Sequence, residues 1–179
     1  MKKIILISGK AEHGKDTLAE YLKERLEEKG QTVVIDRFAK YIKGYLKDYY
    51  NWDGKEKNEF VRSKLQVLGT EMIKEKLNFK SFHAKRLCED FQIVQDDFDY
   101  FIVPDTRFRD EVHMFKALFP DDVVTTRVIR LGHESKLTEE QLNHKSETDL
   151  DKHKFDSVIF HQSLDSLYDE CNRVFKSIL

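Results

Sequence analysis

The segment from Ile4 to Thr17, IILISGKAEHGKDT, constrains this chain most: an apolar run leads into Gly9, four residues, Gly14-Lys15, Asp16 and Thr17, and these open an amphipathic helix. A strand passing through such a turn into a helix builds a cradle for phosphate. Gly9 and Gly14 permit a turn that a Cβ would obstruct. The backbone N–H groups of Ala11, Glu12, His13 and Gly14 are therefore expected to converge on phosphate oxygens at the positive end of the helix. Lys15 would add a mobile point charge for the β- and γ-phosphates. The next residue is Asp16 where a hydroxyl usually holds magnesium, so a carboxylate would bind Mg2+ directly or through water, while Thr17 would reach the α-phosphate. A strand-to-helix turn with no ligand is the weaker alternative, given the strand before it and the helix after it.

A chain of 179 residues fits one domain with enough apolar residues for a core. Its 31 basic and 33 acidic residues leave a formal charge of −2, which provides no bulk field to recruit nucleic acid or an anionic membrane. Any basic site must be local. Cys88 and Cys171 lack CxxC spacing, and without a secretory signal or a membrane-length apolar stretch they read as reduced thiols of a cytoplasmic protein.

Strand and helix patterns then alternate. Leu18, Leu22 and Leu26 recur on one helix face, with Gly30 as the stop, and a second strand covers Thr32 to Ile35. Residues 37–95 read as consecutive helices, with Val61, Leu65, Leu68 and Met72 at helical spacing and a row of aromatics, Tyr41, Tyr45, Tyr49, Tyr50 and Trp52, expected mostly in the core. Further strands are expected at Tyr100 to Val103, Val123 to Leu131 and Ser157 to Phe160. The last helix carries an apolar stripe of Leu164, Leu167, Tyr168, Cys171, Val174, Phe175 and Ile178, expected to be core. Residues 132–154 form a long polar stretch in which Thr138-x-x-Gln141 suits a capping box, and a segment of this kind at the mouth of a parallel sheet suggests a mobile lid.

This alternation implies a three-layer α/β sheet with right-handed crossovers and ligands beyond the carboxyl ends of its strands. Charged residues cluster at those ends. Asp105 ends the third strand, where a second carboxylate could support magnesium or cap the next helix. Arg107 and Arg109 follow with forked donors suited to phosphoryl oxygens. Two cations near a helix start oppose its dipole unless an anion sits between them. Arg130 ends the fourth strand at the same rim. Lys43 and Arg62, in the helical region, could bind an acceptor phosphate, although lone cations on amphipathic helices more often stand on a solvated face. His144, Glu147 and His153 lack the closed ligand set of a zinc site and are read as lid packing or hinge residues.

In the same order along the chain, SGKAEHGKDT, RSKLQVLGTEMI, YFIVPDTRFRDE, VIRLG, HKSETDL and FDSVIFHQSLDSL resemble the motifs of bacteriophage-type deoxynucleoside monophosphate kinases; animal-type phosphomevalonate kinases share several of them. The resemblance implies a single three-layer P-loop NTPase domain over 1–179 with a five-stranded parallel sheet, a helical acceptor-binding insertion at 37–95 and a lid at 132–154. It also implies that Gly14, Lys15, Asp16 and Thr17 bind ATP phosphates and Mg2+, and that Asp105 supports the metal. Arg107 and Arg130 would contact transferring or acceptor phosphates, and Lys43 and Arg62 would line the acceptor site. His161 stands where that group places an asparagine against the adenine.

The expected activity is in-line transfer of the γ-phosphoryl group from ATP to a nucleoside monophosphate. A phosphomevalonate-type or other small-molecule monophosphate kinase is the alternative, and a non-catalytic nucleotide-binding module is the second. The partner expected is a small monophosphate, without nucleic acid or membrane, and a homodimer stays open.

Overall fold

Side chains alternate along the first strand and so decide the layering. Ile4 and Leu6 point to one face of the sheet and Ile5 and Ile7 to the other, all four buried. A strand apolar on both faces must be covered on both. In the computed structural model, which describes residues 3–55 and 58–179, this strand, β1 (Lys3–Ser8), lies at the centre of a sheet. The other described strands are β2 (Val33–Ile35), β3 (Tyr100–Thr106), β4 (Val123–Arg130) and β5 (Ser157–His161). Their order is β2-β3-β1-β4-β5, and every pairing is parallel. The connections from β1 lead to one side and that from β3 crosses to the other, so the loop after β1 emerges where the winding reverses.

One face packs on helix α1 (Lys15–Glu27) and on α8 (Leu164–Val174), through Leu18, Leu22, Leu167 and Cys171 against Ile5 and Ile7. The other packs on α4 (Phe82–Val94) and α5 (Arg109–Leu118), through Leu87, Phe91, Val112 and Phe115 against Ile4 and Leu6. The three-layer α/β architecture is as expected. Gly30, at φ 77, closes the turn after α1.

Between β2 and β3 run α2 (Lys40–Tyr50), α3 (Glu59–Gln66), a π-helical segment (Val67–Lys76) and α4. Between β4 and β5 stand the short helices α6 (Glu139–Asn143) and α7 (Lys145–Thr148). The Thr138–Gln141 capping box forms, each side chain bonding the other's backbone N–H at 3.2 Å.

Several expectations differ in detail. Thr32 stays out of β2 because its amide and hydroxyl both donate to Asp99, at 2.9 Å. β3 runs on past Val103 through Pro104, whose missing N–H falls at a register shift against β1. The α-helical spacing of Leu65, Leu68 and Met72 does not mark the buried face, because the i→i+5 winding turns Gly69, Thr70 and Ile73 inward. The aromatic row is not core: Ile42 and Leu46 anchor α2, while Tyr49 is 78% exposed. Leu164, expected in the stripe, is 57% exposed at the start of α8.

Candidate active site

The loop joining β1 to α1 has a shape its sequence dictates. At Gly9 (φ 153) an added Cβ would lie 2.5 Å from the Val128 carbonyl oxygen of β4, a collision with backbone that permits no side chain. Gly14, in left-handed conformation at φ 86, is the N-cap of α1 and supplies no side chain to its first turn. Glu12 is also left-handed, at φ 62. His161, at the end of β5, braces the loop from behind: its Nε2 lies 2.9 Å from the His13 carbonyl, which accepts a hydrogen bond in the Nε2–H tautomer. The Arg130 N–H donates to His13 Nδ1 at 3.3 Å.

Lys15 is buried, and its ammonium donates to the Lys10 carbonyl at 2.6 Å across the loop. Two cavities open from here. The larger, about 590 Å³, is lined by Ala11, Glu12, Lys15 and Asp16 of the loop and reaches Lys43 of α2 and Arg62 of α3. The smaller, about 310 Å³, is lined by Gly14, Thr17, Arg130, His161 and Leu164 together with Glu12, Lys15 and Asp16. Leu164 is thus exposed to a cavity, which accounts for its departure from the core stripe.

Two site residues are occupied differently from the sequence expectation. Asp105 spends both oxygens on backbone, accepting the amides of Phe38 and Ala39 at 3.0 Å each, and so shapes the approach to α2. Burial pushes its pKa up against those amides and the nearby Arg107 and Lys43. Arg109 is exposed and lines neither cavity; its amide donates to the Asp149 carboxylate at 2.8 Å and its Nε to the Asp149 carbonyl at 3.0 Å.

Arg107 lines the larger cavity, where its Nη1 pairs with Glu147 and donates to the Ser146 carbonyl at 3.3 Å. Burial pulls its guanidinium below the ordinary value, opposed by Asp105, Glu111 and Asp16. Glu147 also accepts the Ala11 amide at 3.1 Å, and Lys10 donates to its carbonyl and to Asp151. Residues 147–151 therefore rest on the loop between β1 and α1. His144 caps α7, accepting the Ser146 amide at 3.2 Å, and His153 packs edge-on against Phe155.

Asp16 is exposed at the cavity mouth and paired with Arg37 at 2.8 Å. Arg37 was missed by sequence reasoning, although Asp36-Arg37 follows β2 at the same rim where the other charges were sought. Burial lowers its pKa, but the Asp16 carboxylate, together with Asp105 and Glu20, raises it by more, so the net shift is upward. No group of three or more His, Cys, Asp or Glu suited to a metal occurs among the described residues. One exposed carboxylate beside a phosphate loop fits a magnesium ion carried in with a nucleotide rather than a resident ion. No helix among the described residues is long and apolar enough to cross a membrane, and Cys88 and Cys171 are unpaired and buried.

Comparison with known proteins adds the fold's company. No protein-family profile matches the chain, and no curated protein matches it. Among solved structures it is similar to a cysteine-to-alanine mutant of the Mycobacterium tuberculosis APS kinase CysC, at TM-score 0.54 and 14% identity over 98% of this chain and 97% of that one. It is also similar to an unliganded sugar kinase from Janibacter sp. HTCC2649, at TM-score 0.54 and 13% identity over 98% and 94%. At such identities the likeness speaks for the fold alone: this chain shares their α/β architecture over nearly its whole length.

Proposed function

We propose that the protein is an ATP-dependent kinase that transfers the γ-phosphoryl group to the phosphate of a nucleoside monophosphate. The observation that carries this reading is the single cavity that joins the phosphate loop and Lys15 to Lys43, Arg62 and Arg107. Cations suited to an acceptor phosphate thus share one enclosed space with those suited to a donor. The smaller cavity, between Arg130, His161 and Leu164, would take the rest of the donor nucleotide.

An acceptor phosphate is already anionic, so the transfer needs positioning and charge neutralisation more than a strong base. Lys15 would leave the Lys10 carbonyl for the β- and γ-oxygens, and Arg107 would exchange Glu147 for the transferring group. Asp16 would hold Mg2+, which supplies charge neutralisation between donor phosphates when bound. The lid residues around Glu147 would keep water out and so suppress hydrolysis.

The test is ADP release from ATP across the common nucleoside and deoxynucleoside monophosphates, with phosphomevalonate included. Stoichiometric turnover with a nucleotide is the expected result. Turnover with phosphomevalonate alone transfers the reading to another small-molecule kinase, and silence with every acceptor makes the protein a nucleotide-binding module.

A further inference from the structure

The larger cavity contains a polar group that the phosphate chemistry does not use. His83, near the start of α4, is only 3% exposed and lines the cavity beside Ile42, Gly69 and Thr70. Neither of its ring nitrogens makes a well-aligned hydrogen bond among the described residues, although the Gly69 backbone is near enough to favour the protonated ring. The ring stands edge-on to Phe82 at 5.2 Å, and a Cβ added at Gly69 would approach Nε2 to 4.0 Å. That same Cβ would meet Ile42 Cδ1 at 2.6 Å. Glycine in the π-helical turn thus lets three segments of the helical region close around the imidazole.

Burial, then the Lys74 ammonium, pull the His83 pKa down to about 4 against the Gly69 carbonyl, so the ring is neutral at physiological pH. A neutral imidazole offers one N–H donor and one nitrogen acceptor. Lys74 itself is engaged, lying 3.3 Å from the Phe108 ring centroid and pairing with Asp110 at 3.3 Å. The polarity at this end of the cavity is therefore uncharged, in contrast to the cationic end at Lys15 and Arg107.

We infer that His83 is a specificity-determining residue that hydrogen-bonds the carbonyl or N–H edge of the acceptor's nucleobase, a deduction that rests on the nucleoside monophosphate reading above. A buried polar group without a partner is costly, so a ligand that satisfies it is favoured over one that leaves it unmet. A neutral imidazole matches the uncharged amide-like edge of a base. It gives a carboxylate such as that of phosphomevalonate no full charge to pair with.

The experiment compares the intact protein with His83→Leu and His83→Asn, the latter keeping one donor and one acceptor. For whichever nucleotide is the best acceptor, His83→Leu is expected to lower kcat/KM by roughly thirtyfold or more through a raised acceptor KM, with KM for ATP unchanged and partial recovery in His83→Asn. In parallel, the imidazole nitrogen signals of His83 in the unsubstituted protein are followed by NMR. They are expected to move with that nucleotide and to stay in place with deoxyribose 5-phosphate, which has no base. Equal movement with both ligands, no movement with either, or an unchanged acceptor KM in folded His83→Leu overturns the role of His83 while leaving the kinase reading intact. Turnover restricted to phosphomevalonate overturns the nucleotide reading, and this inference with it.

Discussion

The carboxylate of Glu147 bridges the Ala11 amide and the Arg107 guanidinium, taking the former at 3.1 Å through one oxygen and the latter through the other. Both donors are ones a donor phosphate would need. An anion from the lid thus stands where the proposed substrate's charge belongs, and nucleotide must displace it.

Glu147→Gln keeps the shape and weakens the charge-assisted bonds, so ATP is expected to bind about tenfold more tightly, equivalent to roughly 1.4 kcal/mol. Calorimetric titration with a non-hydrolysable ATP analogue measures it. An unchanged Kd would show that the lid carboxylate does not compete with the triphosphate.

Lys15→Ala removes the ammonium that spans the loop. A loss in kcat of roughly a hundred- to a thousandfold is expected, the scale of a transition-state electrostatic donor. The ammonium donates within its own loop, to the Lys10 carbonyl. The variant should therefore remain folded by circular dichroism. Full turnover in that variant would remove Lys15 from the mechanism.

Asp105→Asn distinguishes a loop-shaping residue from a metal ligand. Asparagine can accept only one of the Phe38 and Ala39 amides and faces the other with its NH2, so a stability loss of about 1–3 kcal/mol is expected, with a raised acceptor KM. The Mg2+ concentration giving half-maximal rate should stay put. A large rise in that concentration without loss of stability would return Asp105 to the metal.

Glu111 is buried, and burial pushes its pKa up to about 8 despite Lys74 and the Arg107 and Phe108 amides, which both donate to its Oε2. A carboxyl raised from its ordinary value of 4.5 holds a proton when folded that the unfolded chain has released. Its contribution is fully present below that unfolded value and is lost as pH rises through about 8. Stability should fall across this window, and Glu111→Gln, which retains one oxygen for both amides, should flatten the fall. Urea unfolding at a series of pH values tests the sign.

What was legible in the chain follows from local physics. The Gly9–Gly14 loop, the strand ends and the two-faced apolar strand announce themselves through glycine conformation and side-chain period, which need no partner to be read. The partners of Arg109, Asp105 and Glu147 were not legible because they lie far along the sequence: Asp149, the Phe38 and Ala39 amides, and Ala11. Arg37 escaped notice for the same reason, its partner being Asp16, and His83 because its burial arises only when α2, the π-helical segment and α4 pack together. The π-helical segment defeated the pattern from within, since an i→i+5 winding moves the buried face while leaving an α-like spacing of leucines on view.

The lid's far stem is fastened: Leu150 is buried in the core, and Arg127 of β4 grips the Leu150 carbonyl at 2.8 Å and Asp151 at 2.7 Å. A flap pinned so near its working carboxylate swings on a short arm. Withdrawing Glu147 then asks for unwinding one four-residue turn, α7, rather than for melting the whole connection. Closing of the proposed lid would accordingly reorder only that short turn, the rest of the segment having surrendered its freedom during folding.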